Sequence, residues 1–293
     1  MDYDLTDIPV VYDRGRDLTT GEDLQEAVRA LDLSGRAVCL HSSLRSFGHV
    51  DGGAVTVIRA FLDAECTVLV PTFSSSFGVA PPLHLQFERN GWNYSTTAAL
   101  KHGSNRIYTP EVLDIDCDMG AIPATLVAWP GRVRGNHPLD SFTAVGPGAT
   151  ELIREQTPSD AYAPLRALIR LQGFVLLIGV GLERLTLLHL AEKEAGRTLF
   201  RRWANDQYGH PMAVEVGGCS EGFNKLEPHL GHIMPKTTVG HSNWTLLEGD
   251  QVLAHAAATI RANPEIAHCG NGECERCNDA VKGGPMPADI FAG

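Results

Sequence analysis

AVCLHSSLRSFGHVDGGAVTVIRAFLDAECTVLVPTF, residues 37–73, decides the fold class. It opens on a short apolar run, Ala37 to Leu40, of the length a buried strand needs. The run stops at His41 and meets a polar, turn-prone stretch, SSLRSFGHVDGG. Ala54, Val57, Ile58, Phe61 and Leu62 then recur at helical spacing. Thr67 to Phe73 return to an apolar run that Pro71 interrupts. Strand, loop, helix and strand in about thirty-five residues predict a parallel βαβ unit with a right-handed crossover. In such sheets ligands gather beyond the carboxyl ends of the strands. That rule makes His41-Ser42-Ser43 and Pro71-Thr72-Phe73-Ser74 the first site candidates.

The flanking sequence extends the pattern. Thr20-Gly-Glu-Asp23 reads as a capping box ahead of a helix whose apolar face is Leu24, Ala27, Val28 and Leu31. Residues 75–118 lack sustained periodicity, and a long irregular stretch inside a globular chain is more often functional than idle. Helical spacing returns over Ala121–Trp129, Ala149–Arg154 and Leu165–Leu171. Phe174–Ile178 reads as a third buried strand, ending in Gly179-Val-Gly181. The stretch ERLTLLHLAEKEAG reads as a helix closed by Gly196. A strand is expected near Met212–Val216, and a helix from about Trp244 to Ile260. The expected architecture is α/β, with a mixed or mostly parallel central sheet flanked by helices. Without internal repeats or a low-complexity linker, residues 1–293 read as a single domain carrying a Cys-rich segment at 264–285.

Composition narrows the partners. With 43% hydrophobic and 20% charged residues among 293, the chain can bury a sizeable core, which argues against disorder. Twenty-four Lys and Arg against 35 Asp and Glu leave a net charge of −11, so neither nucleic acid nor an anionic membrane is an expected partner. A polycationic small molecule is. The N-terminal MDYDLTDIPVVYDRGRD is acidic, unlike a secretory signal, and no apolar run approaches bilayer length. The seven cysteines do not form a disulfide framework. Reduced thiols and a cytoplasmic location are the expectation.

Several groups could carry chemistry. His189 and Glu192 lie three apart on one helix face, where a carboxylate can fix an imidazole's tautomer and suit it to general-base work. A structural helix histidine explains the same spacing. His41 stands at a strand end before two serines, where backbone N–H groups can meet an oxyanion, or simply close a turn. Arg132, Arg134, His137 and Ser141 concentrate donors suited to phosphate, or to a solvated surface loop. Cys269, Cys274 and Cys277, with Cys219 or His268 as a fourth ligand, have the look of a closed structural zinc site. Reduced thiols or a labile disulfide remain the alternatives. No dinucleotide fingerprint, Walker loop or nucleophile elbow is present.

Four blocks together resemble the aminoglycoside 3-N-acetyltransferase family. They are residues 40–64 with 67–73, then MGAIPATLVAWPGRVRGNHPLDSFTAVG at 119–146, LLIGVGLERLTLLHLAE at 176–192, and VGHSNWTLLEGDQVLAHAAATI at 239–260. The combination of H-S-S-L, H-P-x-x-S-F-x-A-V-G and T-x-L-H-x-A-E is specific, whereas each alone would be weak. The resemblance implies acetyl transfer from acetyl-CoA to the 3-amino group of a 2-deoxystreptamine ring, and an antibiotic-resistance role. It implies His189 as general base, with Glu192 beside it and His41 near the reaction. His41, Ser42, Ser43 and Leu44 would approach CoA, with Thr72, His137 and Ser141 lining that side. Two features depart from the family pattern. GGCSEGFNKLEPHL and the Cys-rich tail are unlike the best-known members, and Gly135 stands where a serine usually precedes x-H-P.

The mechanism implied is direct attack of the amine on the thioester, with donors near Ser42-Ser43 meeting the oxyanion. Glu88, Asp116, Asp118 and Glu221 are candidate acids for holding a polycationic acceptor. Three rivals stand beside it: an acyltransferase acting on another amine, a zinc hydrolase using His41, His137 and His189, and a non-catalytic CoA-binding protein.

Overall fold

The computed structural model describes residues 18–95 and 105–286. The acidic N-terminal stretch and part of the irregular stretch lie outside them. In chain order the elements are β1 (Leu18–Thr19), α1 (Gly21–Ala30), β2 (Ala37–Ser42), β3 (His49–Val50), α2 (Gly53–Asp63) and β4 (Thr67–Pro71). Then come α3 (Ala121–Val127), β5 (Val133–Arg134), β6 (Phe142–Val145), α4 (Ala149–Ile153), α5 (Ala163–Arg170), β7 (Phe174–Ile178) and α6 (Leu187–Glu194). The last part holds β8 (Phe200–Asn205), β9 (Pro211–Val216), α7 (Glu227–Leu230), β10 (Lys236–Val239), β11 (Ser242–Glu248), α8 (Gly249–Ala262) and α9 (Glu275–Val281).

Seven strands form one mixed sheet in the order β10-β11-β7-β2-β4-β6-β5. Its centre is parallel: β2 pairs β4 on one side and β7 on the other, with His41 opposite Leu177. The expected βαβ unit is therefore β2-α2-β4. Antiparallel strands extend both flanks, β11 on β7 and β6 on β4.

Strand residues alternate between two layers of helices. Val38, Leu40, Val68, Val70 and Leu176 pack against α1, α2 and α3, while Cys39, Leu69, Val175 and Leu177 face α4, α5, α6 and α8. Each fully buried aliphatic side chain contributes roughly 1.5–3 kcal/mol relative to exposure. The Thr20 capping box forms as the sequence predicts: the Thr20 hydroxyl accepts from the Asp23 N–H, and Asp23 accepts from the Thr20 N–H.

The helix expected from Trp244 begins only at Gly249. Residues 242–248 form a strand because they lie antiparallel along β7, with Trp244 opposite Ile178. The Trp244 ring is buried, stacked on Phe61 at 6.2 Å and edge-on to Phe47 at 6.1 Å. A tertiary contact, invisible to helical spacing, sets this segment's conformation.

A two-stranded ribbon of β8 and β9 stands apart from the sheet. The irregular stretch after β4 packs onto it through Phe77 and Tyr108, whose rings meet edge to face at 5.4 Å. Among the described residues no helix is long and apolar enough to cross a membrane.

Candidate active site

The loops leaving β2, β4 and β7 open into one cleft of about 2350 Å³. His41, Ser42, Ser43 and Leu44 line it from β2, Phe73 and Ser75 from β4, and Gly179, Val180 and Gly181 from β7. The opposite wall comes from the ribbon and its exit, through Arg202, Trp203, Gly217 and Ser220. Gly179 has φ of +63°, and a Cβ there would lie 2.1 Å from that of Ser46, so only glycine fits this strand end.

His189 lies on the cleft side of α6 and is only 8% exposed. Its Nδ1 is 2.8 Å from Oε2 of Glu192. An ionised carboxylate only accepts hydrogen bonds, so this contact places the ring proton on Nδ1 and leaves the Nε2 lone pair for the cleft. Glu192 is held in turn by Arg197, whose guanidinium donates to Oε1 and to the Pro264 carbonyl. Both partners of that ion pair are buried, at 8% and 6%. The imidazole lies parallel to the Tyr162 ring at 6.0 Å and tilted against Phe223 at 4.9 Å. Proton, tautomer and ring plane are all fixed before any ligand arrives.

Gly217 closes the far side. A Cβ on it would fall 2.6 Å from His189 Cδ2 and 2.5 Å from the Tyr162 hydroxyl. Replacing Gly217 with Ala therefore displaces the imidazole. Misplacing a catalytic group by about 1 Å costs up to ~10²-fold, so turnover should fall about ten- to a hundredfold with the fold retained. Unchanged kcat in this variant would remove the ring from the reaction.

Asp140 also lines the cleft, accepting from the Gly217 N–H at 3.4 Å and facing the Tyr162 hydroxyl at 3.5 Å. Burial pushes its carboxyl up to about 6, against the pull of the Gly217 N–H and of His189. Ionisation thus costs the folded state more than the unfolded chain. The group's contribution to stability is greatest below pH 4 and is lost as pH rises through about 6. Asp140→Asn should be more stable than the parent at pH 7.5 by about 1–2 kcal/mol, less than full burial would imply because the cleft admits water. The difference should vanish near pH 4, as denaturant midpoints will show.

The remaining candidates divide. His41 is 4% exposed, with Nε2 3.8 Å from the Cys39 sulfur, and burial lowers it to about 4. Burial thus favours the neutral ring, which lines the cleft next to Ser42. The Ser42 hydroxyl is buried with no hydrogen-bond partner among the described residues. The Ser43 N–H, by contrast, is spent on the Ile178 carbonyl at 2.9 Å.

Thr72, His137 and Ser141 are fully buried behind the cleft, correcting the expectation that they line it. His137 Nε2 meets the Glu215 carbonyl at 2.7 Å, and Nδ1 accepts from the Asp140 N–H at 2.8 Å. This histidine shapes the turn that presents Asp140. The Thr72 and Ser141 hydroxyls meet each other, and each donates to the other residue's carbonyl. Arg134 is spent on Ser141 and on the carbonyls of Thr72, Val112 and Asp114, so it grips no phosphate.

Of the candidate acids, Asp116 and Asp118 line the cleft, while Glu88 and Glu221 are exposed away from it. Asp116 is already engaged by the Ser75 N–H and hydroxyl. With Asp140 and Glu183 the lining holds four carboxylates, against Arg45, Arg184, Arg202, Lys236 and Arg276. The charge of −11 is not concentrated here.

Among the described residues the one cluster with metal-ligand geometry is Cys219, Cys269, Cys274 and Cys277. Three histidines gathered on one ion, as the hydrolase reading requires, are not found. Asp140, Tyr162, Arg197, Arg202 and Gly217 escaped the sequence reading. Of these, Asp140 lies inside the quoted H-P-x-x-S-F and Gly217 opens the quoted GGCSEGFNKLEPHL.

The profile of the aminoglycoside 3-N-acetyltransferase family matches residues 39–261. Aminoglycoside N(3)-acetyltransferase IX of Micromonospora chalcea is 37% identical over 164 residues, which are 54% of this chain and 56% of that protein. The chain thus spans little more than half the length of this curated relative. The crystal structure of aminoglycoside acetyltransferase AAC(3)-IVa superposes with a TM-score of 0.72 at 24% identity, covering 90% of this chain and 97% of that one. The structure described as AAC-IIIb binary with CoASH gives 0.67 at 20% identity, covering 84% and 97%. At these identities the two structures bear on the fold alone.

Proposed function

The chain belongs to the aminoglycoside 3-N-acetyltransferase family, and on that premise we propose that it transfers the acetyl group of acetyl-CoA to the 3-amino group of a 2-deoxystreptamine aminoglycoside. The observation that carries this reading is the buried His189–Glu192–Arg197 relay, which sets the imidazole against a cleft large enough for two substrates. A site for one drug-sized ligand takes about 300–1,000 Å³. The CoA-bound relative supports the choice of acyl donor.

CoA enters along the β2 exit, past Ser42, Ser43 and Leu44, where Arg45 and Arg184 offer cations to its phosphates. The acceptor lies between the ribbon and the loops after β4. Its ammonium gives a proton to His189 Nε2, directly or through water, and Glu192 stabilises the imidazolium that results. The free amine attacks the thioester carbonyl. The unpartnered Ser42 hydroxyl is the donor offered to the oxyanion. Collapse expels the CoA thiolate, which takes the proton held by His189, while the attacking nitrogen releases its second proton to water as the neutral amide forms. Asp140, close to the imidazole, holds the acceptor ammonium.

A second reading has one observation in its favour. Arg202 and Arg276 stand on the acceptor side, which favours an amine that also carries an anionic group over a bare polycation. The test is thiol release from acetyl-CoA across a panel of 2-deoxystreptamine antibiotics, with NMR assignment of the acetylated nitrogen. Acetylation at the 3-amino group, with raised tolerance in a susceptible cytoplasmic host, supports the first reading. Acetyl-CoA binding without turnover on any of the panel supports the second.

A further inference from the structure

Four sulfurs converge at a place that acetyl transfer does not use. Cys219, on the segment leaving β9, and Cys269, Cys274 and Cys277, in and before α9, hold their sulfurs within 4.8 Å of one another. A tetrahedral Zn–S₄ site, with bonds of about 2.3 Å, spaces its sulfurs at about 3.8 Å. The four thiols need only a small contraction to reach it.

The surroundings match. The Cys269 N–H donates to the Cys277 sulfur at 3.4 Å, the kind of hydrogen bond that orients a thiolate ligand. His268, the alternative fourth ligand, is committed elsewhere: Nε2 meets the Asn278 side chain at 3.0 Å and Nδ1 accepts from the Gly270 N–H. Asn278 also donates to the Gly272 carbonyl, so the histidine braces the ligand loop and leaves Cys219 as the fourth ligand. Four thiolates around a divalent ion carry two net negative charges. Arg276 lies between two ligands in sequence, and Lys225 holds the His268 carbonyl beside Cys269, which puts two cations on the segments around the ligands.

We propose that these cysteines bind one structural Zn²⁺ ion that clamps the C-terminal segment onto the wall of the catalytic cleft. Soft, tetrahedral four-thiolate sets select zinc or iron, and sulfurs this close leave room for a single ion and not for an iron–sulfur cage. Four protein ligands leave no open position, so the ion holds structure and performs no chemistry. Cys219 lies two residues after Gly217, which packs against His189, and Arg276 reaches the cleft from between Cys274 and Cys277. A small cavity lined by Glu192, Arg197, Cys219 and Cys277 separates the thiols from the buried ion pair. One ion thus ties both cleft-wall segments to the frame behind His189.

Elemental analysis of the full chain, purified without chelator, tests this apart from any activity. About one zinc per chain is expected, released by a mercurial together with the four thiols. Cobalt added back to the released protein should give the intense visible bands of a tetrahedral thiolate complex. Cys219→Ser with Cys274→Ser should abolish both signals, while His189→Ala should keep them. Less than about a tenth of an equivalent of zinc with freely reactive thiols, iron in place of zinc, or a chain about 4 Da lighter from two disulfides would each overturn the assignment. A null result in the acetylation assay would leave it standing.

Discussion

His189→Ala is expected to lower kcat about 10²- to 10⁴-fold, the range that a positioned general base contributes, while acetyl-CoA affinity stays within about threefold. The expectation rests on geometry. Glu192 accepts the hydrogen bond of the Nδ1–H, burial favours neutral His41, and His137 has both nitrogens engaged. Of these three histidines only His189 both lines the cleft and has a carboxylate on its other ring nitrogen. An acceptor ammonium must lose a proton before it can attack, so the variant can act only on the fraction of acceptor already neutral. Its residual rate should climb steadily with pH, without the acid limb of the parent. Because the ring fills space between Tyr162 and Phe223, His189→Gln serves as a control that retains volume but not basicity. Turnover within tenfold of the parent in both variants would sink the general-base role.

The parts of this site that the sequence announced are those with short-range signals. The βαβ unit was legible because apolar spacing switches from strand to helix and back within residues 37–73. His189 and Glu192 share a face by spacing alone. What escaped depends on contacts between distant residues. Trp244 reads as helical until Phe47 and Phe61 are seen to enclose it. Asp140 is one acid among 35 Asp and Glu until the fold buries it beside Tyr162 and Gly217. Cys219 lies fifty residues before Cys269, so spacing could not choose it over His268.

Net charge was the least informative signal. It suggests a polycationic partner, yet the lining carries cations and carboxylates in near balance. A sum over the surface does not locate its terms. Long-range attraction for a polycation persists, weakening with salt over a Debye length of about 8–10 Å. Selectivity inside the cleft must come from particular side chains such as Asp118, Asp140, Arg202 and Arg276. An acceptor's affinity should therefore respond more to these four than to the overall charge.

Arg197→Ala should be the most destabilising single change near the site, by about 3–5 kcal/mol, because it strands a buried carboxylate. Glu192 is 5% exposed, and without Arg197 its remaining charged partner is the imidazole. At roughly 2–4 °C per kcal/mol for a chain of this size, the melting temperature should fall by about 6–20 °C. Activity should change in a separate way. The carboxylate that orients the imidazole loses its own anchor, so kcat should fall while acetyl-CoA affinity holds. Arg197→Met combined with Glu192→Gln removes both charges and should restore most of the lost stability. It should not restore turnover, since nothing then stabilises the imidazolium formed as the proton leaves the amine. A melting temperature for Arg197→Ala within 1 °C of the parent would show that the ion pair carries no such weight. Recovery of both stability and turnover in the double variant would show that the relay only packs the helix, and that His189 needs no carboxylate behind it.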